Sequence, residues 1–87
     1  GASRELLAEI VGELERGKVE KVIHIRTQYL GPEELLVAAK IGMAPSLSVA
    51  QVATEIDEAE ARIRAKVPAA RLIYLEPDLE RGRALAG

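Results

Sequence analysis

The chain has no cysteine, no phenylalanine and no tryptophan, and only two tyrosines, one histidine and one methionine. Without thiols there are no disulfide staples, thiolate metal sites or cysteine nucleophiles, so the fold must hold together by packing alone. Two aromatic rings are too few for a platform that stacks nucleic-acid bases or a shelf that binds sugars. No apolar run approaches the ~20 residues of a bilayer crossing; the longest is Leu35 to Ala39. A recognisable signal peptide is missing as well, and by itself the chain is expected to be soluble. Neither sign of charge dominates: 14 acidic against 12 basic side chains leave a formal charge of −2, which argues against a general nucleic-acid footprint.

What is present is ordinary globular composition, 48% apolar and 30% charged over 87 residues. That length makes one small domain with no room for a second core. Such a domain buries roughly 60 to 65% of its unfolded surface and is marginal alone, so oligomerisation is expected. The chain begins Gly1, Ala2, Ser3 without Met, and we read it as a processed or excised piece whose first residues are foreign to the domain.

Leu6, Leu7, Ile10, Val11 and Leu14 repeat at helical period, with Ser3 as cap, Glu5 in the first turn and Gly17 at the stop, predicting a helix over Ser3 to Arg16. From Val19 to Leu30 the period becomes two, with Ile23, Ile25, Thr27 and Tyr29 on one face and Val22, His24, Arg26, Gln28 and Leu30 on the other. Gly31 to Glu34 supply a turn, and alternation resumes with Leu35, Val37, Ala39, Ile41 and Met43 together, predicting an antiparallel hairpin. Ser48 and Gln51 fit a capping box, and Leu47 with Val52 a hydrophobic staple. The helix they open runs to Val67, with Val49, Val52, Ala53, Ile56, Ala59, Ile63 and Val67 on its apolar side, and Pro68 ends it. Arg71 to Glu76 is a last strand closed by Pro77. The order is α-β-β-α-β, which predicts an α+β ferredoxin-like open-faced sandwich lacking its first strand: a three-stranded sheet with both helices on one face. The domain is assigned to residues 1–78, and residues 79–87 are expected to form a mobile tail.

The free sheet face would carry His24, Arg26, Gln28, Leu36, Ala38, Lys40, Leu72, Tyr74 and Glu76, a mixture too apolar for plain solvent and our candidate interaction surface. Nothing in the spacing of Ser, His and acid marks a nucleophile with its base, and no glycine-rich loop precedes a helix, so the chain is read as no enzyme. His24, the single imidazole, is read as a hydrogen-bonded strand histidine; its functional reading is a metal ligand or titrating switch. Glu76 is the hard ligand that could join it. The acids Glu55, Asp57, Glu58 and Glu60 read as the solvated face of the long helix, paired with Arg62 and Arg64. Arg26 and Lys40 share the sheet face with Glu76, where an ion-pair network would serve structure or an interface.

The run HIRTQYLGPEELLVAAKIGM from His24 to Met43, then PSLSVAQVATEIDEAEARIRAKVP from Pro45 to Pro68 and LIYLEPD from Leu72 to Asp78, resembles the C-terminal cytoplasmic domain of cation diffusion facilitator transporters. The resemblance covers Ser3 to Asp78. It is similar to a bacterial branch in which an x-LRT-x-x-LGP-x-ELLVAAK hairpin recurs, Ile25 standing where Leu is usual. The resemblance implies a homodimeric membrane protein that exports Zn²⁺ or a related divalent cation in exchange for protons, its membrane domain on the same polypeptide and this domain at the cytoplasmic face of the cell membrane. It also implies metal binding at the dimer interface in many members. Here the implied ligand positions are mostly altered: Ile23, Lys40, Ala53 and Tyr74 stand where histidines are usual, and only Glu76 keeps its acid. His24 is displaced by one residue from the first position, and such a shift turns a strand side chain to the other face. His24 and Glu76 remain as candidate metal residues and Arg26, Lys40 and Tyr74 as interface residues. We therefore expect a regulatory and dimerisation domain with no tightly bound cofactor, open to Zn²⁺ or another divalent cation, and with no nucleic-acid partner. The competing reading is a free-standing ferredoxin-like module that senses a small ligand or binds a protein.

Overall fold

The Ser3 hydroxyl accepts a hydrogen bond from the Leu6 backbone N–H at 3.1 Å and opens helix α1, Arg4–Leu14. The computed structural model describes residues 2–79. Helix α1 buries Ile10 and Leu14 completely and ends at Glu15, two residues short of Gly17. Strand β1 spans Val19–Gly31 and turns through Pro32 and Glu33 into strand β2, Glu34–Met43, its antiparallel partner. Helix α2, Val49–Lys66, leads to strand β3, Ala70–Leu79, which lies parallel to β2. The sheet order is β1-β2-β3 with β2 at the centre. A parallel return past one helix requires this crossover, and the architecture is the ferredoxin-like α-β-β-α-β sandwich expected from the pattern.

The expected capping box opens α2: the Ser48 hydroxyl accepts from the Gln51 backbone N–H at 3.0 Å, and the Ser48 N–H donates to the Gln51 side-chain oxygen at 2.8 Å. Leu47 and Val52 both pack against the core beside it. Strand β2 alternates as read, with Leu35, Val37, Ala39, Ile41 and Met43 all buried, because the central strand has both helices above it and neighbours on both sides. The core joins these to Ile10, Leu14, Ala59, Ile63 and Ile73. In the second half of β1 the Thr27 hydroxyl accepts a hydrogen bond from the Ala2 N–H at 3.3 Å.

Four details depart from the sequence reading. The faces of β1 are not those of unbroken alternation: pairing slips between Val22 and His24, so Val22 and Ile25 both pack on the core while Ile23 is 41% exposed. An extra residue in one strand shifts every side chain before it to the opposite face. On α2, Val49 and Ala53 are exposed and the inward stripe is Val52, Ile56, Ala59 and Ile63. Glu55, read as solvated, is buried. Strand β3 continues through Pro77 to Leu79, which a proline permits on an edge strand because the missing N–H costs no ladder bond on the open side. Of the expected tail, residues 80–87 lie outside the described residues.

Candidate functional site

The free face of the sheet is organised in rows, because cross-strand partners on adjacent strands stand side by side. His24 of β1 pairs with Lys40 of β2, and Lys40 with Glu76 of β3. The next row is Arg26, Ala38 and Tyr74, and the next Gln28, Leu36 and Leu72. The register thus places all nine residues of the expected face together. Leu36, Ala38 and Leu72 are half-buried at its middle, Tyr74 is 60% exposed, and the charged groups gather at one end.

At that end the Lys40 ammonium lies 3.9 Å from the Glu76 carboxylate, with side chains 41% and 71% exposed. An ion pair at this length and exposure is loose. His24 and Glu76 occupy the same row but two strands apart, about 10 Å between their backbones at ~4.8 Å per strand spacing, with the Lys40 ammonium between them. A divalent ion draws its donors to within about 2.0 to 2.6 Å. Among the described residues no three His, Cys, Asp or Glu side chains gather to hold a metal ion. The altered ligand positions are also scattered: Ile23 stands exposed at the β1 irregularity, and Ala53 is exposed on α2, which packs on the other side of the sheet. The residues present do not fit a chelating site within one copy of the chain.

Sequence reasoning missed one charged centre, on the covered side of the sheet. Glu55, 3% exposed, receives a hydrogen bond from the Arg62 guanidinium at 3.1 Å. The same guanidinium donates from Nε to the Glu13 carbonyl near the end of α1 at 2.9 Å. Arg62 therefore adds a side-chain donor to a carbonyl near the end of one helix and pairs the buried acid of the other. Its signal lay in the spacing: Glu55 falls three residues after Val52 and four before Ala59, on the core stripe, and Arg62 lies seven residues on, on the same side. The remaining acids behave as read, Glu60 pairing with Arg64 at 3.4 Å on a partly exposed surface.

A model of the cytoplasmic domain of cation efflux proteins matches residues 2–78 of this sequence. The chain belongs to that family. Among solved structures, a histidine-to-alanine variant of the MamM C-terminal domain is 24% identical with a TM-score of 0.82, the match covering 90% of this chain and 98% of that one. A nickel form of an aspartate-to-asparagine MamM variant is 23% identical with a TM-score of 0.82, covering 88% of this chain and 98% of that one. A MamM variant with both an aspartate and a histidine changed to alanine is 26% identical with a TM-score of 0.80, over 86% and 90% of the two chains. No curated protein matches the sequence. The cation efflux domain thus shares its fold with the MamM C-terminal domain over nearly its whole length. Among the described residues no helix is long and apolar enough to cross a membrane.

Proposed function

We propose that this cation efflux domain is a regulatory and dimerisation unit that pairs with a second copy of itself without a resident metal ion, within a transporter that exports Zn²⁺ or a related divalent cation by proton antiport. The observation that carries the reading is Lys40 standing between His24 and Glu76. A fixed positive charge in that row disfavours a cation there, and with Arg26 it would supply to the interface the charge an ion supplies elsewhere. The half-apolar free face, with Leu36 and Leu72 half-buried and Tyr74 exposed, supports a surface that is covered by a partner. The family match supports the context: a membrane domain on the same polypeptide carries the ion, and this domain lies beneath it at the cytoplasmic face of the membrane. Nickel, copper and cadmium forms of MamM domains support divalent cations as the ions such domains meet. His24 and Glu76 then give at most weak, reversible metal contacts.

The absolute mass of the domain, measured by light scattering after gel filtration with excess Zn²⁺ and again with chelator, tests this. A dimer of the same mass in both conditions is expected. A monomer that pairs only with Zn²⁺, or a stoichiometric sub-micromolar Zn²⁺ site in calorimetry, would overturn the metal-independent reading.

A further inference from the structure

The charges of the free sheet face are sorted by strand. Across the rows from Leu36 to Lys40, β1 contributes Gln28, Arg26 and His24, a cation and no acid, while β3 contributes Leu72, Tyr74 and Glu76, an acid and no base. Lys21 and Asp78, in the row of Gly42, continue the two columns with the same signs. A face that packs on its own copy makes every contact twice, with the roles of the copies exchanged. Two aligned arrangements of the sheets are then open to it. An axis across the strands lays β1 on β1, basic column against basic column, whereas an axis along β2 lays β1 of each copy on β3 of the other. Only the second brings opposite charges together, and like charges set against each other exclude the first. We infer that the domain pairs about a two-fold axis running along β2, so that Arg26 of each copy meets Tyr74 and Glu76 of the other. This arrangement rests on the pairing reading above and adds to it which strand lies on which.

An axis along the strands keeps each row at its own level. His24 then faces the partner's Glu76, Arg26 the partner's Tyr74 and Gln28 the partner's Leu72, across sheets about 10 Å apart. Arg26 makes no hydrogen bond or ion pair among the described residues, whereas Arg16, Arg62 and Arg64 each hold a carboxylate. Its planar guanidinium can lie on the exposed ring of the partner's Tyr74 and reach the partner's Glu76 one row away. Glu76 has capacity for it, being 71% exposed with only the 3.9 Å contact to Lys40. Ala38 meets its own copy on the axis, where a small side chain lets the sheets approach, and Leu36 does the same in the apolar row. Lys40 also lies near the axis, but its ammonium leans toward its own Glu76. The two-fold carries the second ammonium off in the opposite direction, so the two like charges diverge. The same axis leaves both copies of Ala2, each tied to Thr27 of β1, at one end of the pair, where two chains held in one membrane can both enter.

The test compares the dimer dissociation constant of the natural domain with those of Arg26→Glu, Glu76→Arg and the double variant carrying both, by light scattering over a dilution series in chelator. Circular dichroism reports whether each variant is folded. Each single variant sets like charges together at both symmetry-related contacts and should weaken pairing at least about tenfold, or ~1.4 kcal/mol. The double variant exchanges the signs and should recover most of that loss. Because the chain has no cysteine, introduced thiols report the arrangement directly. Gln28→Cys mixed with Leu72→Cys should give a disulfide-linked pair on oxidation, and neither should link to itself. A natural dimer whose single variants pair as tightly as it does, whose double variant stays as weak as the singles, or whose Gln28→Cys form links to itself would overturn the crossed arrangement and leave the pairing reading standing. A natural domain that is monomeric at every concentration would overturn both.

Discussion

The Glu55 carboxylate lies so close against the backbone of Gly17 that a Cβ there would collide with it. Gly17 sits in the turn between α1 and β1, and Glu55 is one turn and a half into α2, so the contact fixes how that turn seats on the second helix. The carboxylate cannot move aside freely, because it is buried and held by Arg62 at 3.1 Å. Glycine is needed at position 17 for space.

Gly17→Ala should therefore destabilise the domain by about 1 to 3 kcal/mol, the usual cost of forcing extra volume into a packed site. Urea denaturation with an unchanged slope checks it. Shortening the acid in a Gly17→Ala, Glu55→Ala double variant should give a combined cost smaller than the sum of the two singles, since the collision is then gone. Additive costs would show that the two residues do not act through this contact.

Arg62 supports the same centre from the other side. Arg62→Met keeps most of the side-chain length but leaves Glu55 buried without its counterion and removes the side-chain donor to the Glu13 carbonyl. A loss of about 3 kcal/mol is expected, at the low end for a buried pair because Arg62 is itself 20% exposed. Adding Glu55→Leu to that variant should recover much of the loss in chemical denaturation, because an apolar pair of similar volume carries no desolvation penalty.

Much of this domain is written in its local sequence. The α2 start is legible because a capping box needs only Ser48 and Gln51 at the right separation. The β2 faces are legible because a central strand covered on one side alternates without interruption. What escaped depends on partners distant in the chain. Over their paired span β1 uses three more residues than β2, one at each register shift, and the continuous alternation around Ile23 gives no sign of it until β2 is laid alongside. Val49 has the right period for the core, but period sets which side of a helix faces inward, not where along its length the packing begins. Glu55 was read by its residue type rather than its place on the stripe. The rows of the free face follow from register, so His24, Lys40 and Glu76 could be assigned to one face from sequence, while Lys40 standing between the other two needed the strand order.

The Ser48 cap makes a contained test of local stability. Ser48→Ala removes the acceptor for the Gln51 N–H and should cost about 1 kcal/mol, and Ser48→Gly only a few tenths. Thermal unfolding of the two variants side by side separates the cap from any wider effect, because neither change touches the core.

If the Lys40 ammonium is what keeps a metal out of the free face, replacing it should let one in. In the Lys40→His variant an imidazole takes the middle of the row, directly opposite His24 with Cβ atoms about 5 Å apart and next to Glu76 on the adjacent strand. Three donors from three neighbouring strands then surround one point, enough for the three protein ligands of an open zinc site. Calorimetry should find one Zn²⁺ per chain at micromolar affinity or better, about 8 kcal/mol of binding, where the natural sequence gives no comparable site. His24→Ala in that background should weaken the new site at least about tenfold, or ~1.4 kcal/mol. Equal Zn²⁺ binding by the natural sequence and the Lys40→His variant would mean that the lysine does not govern the row, and that any metal held by this domain is held by other residues.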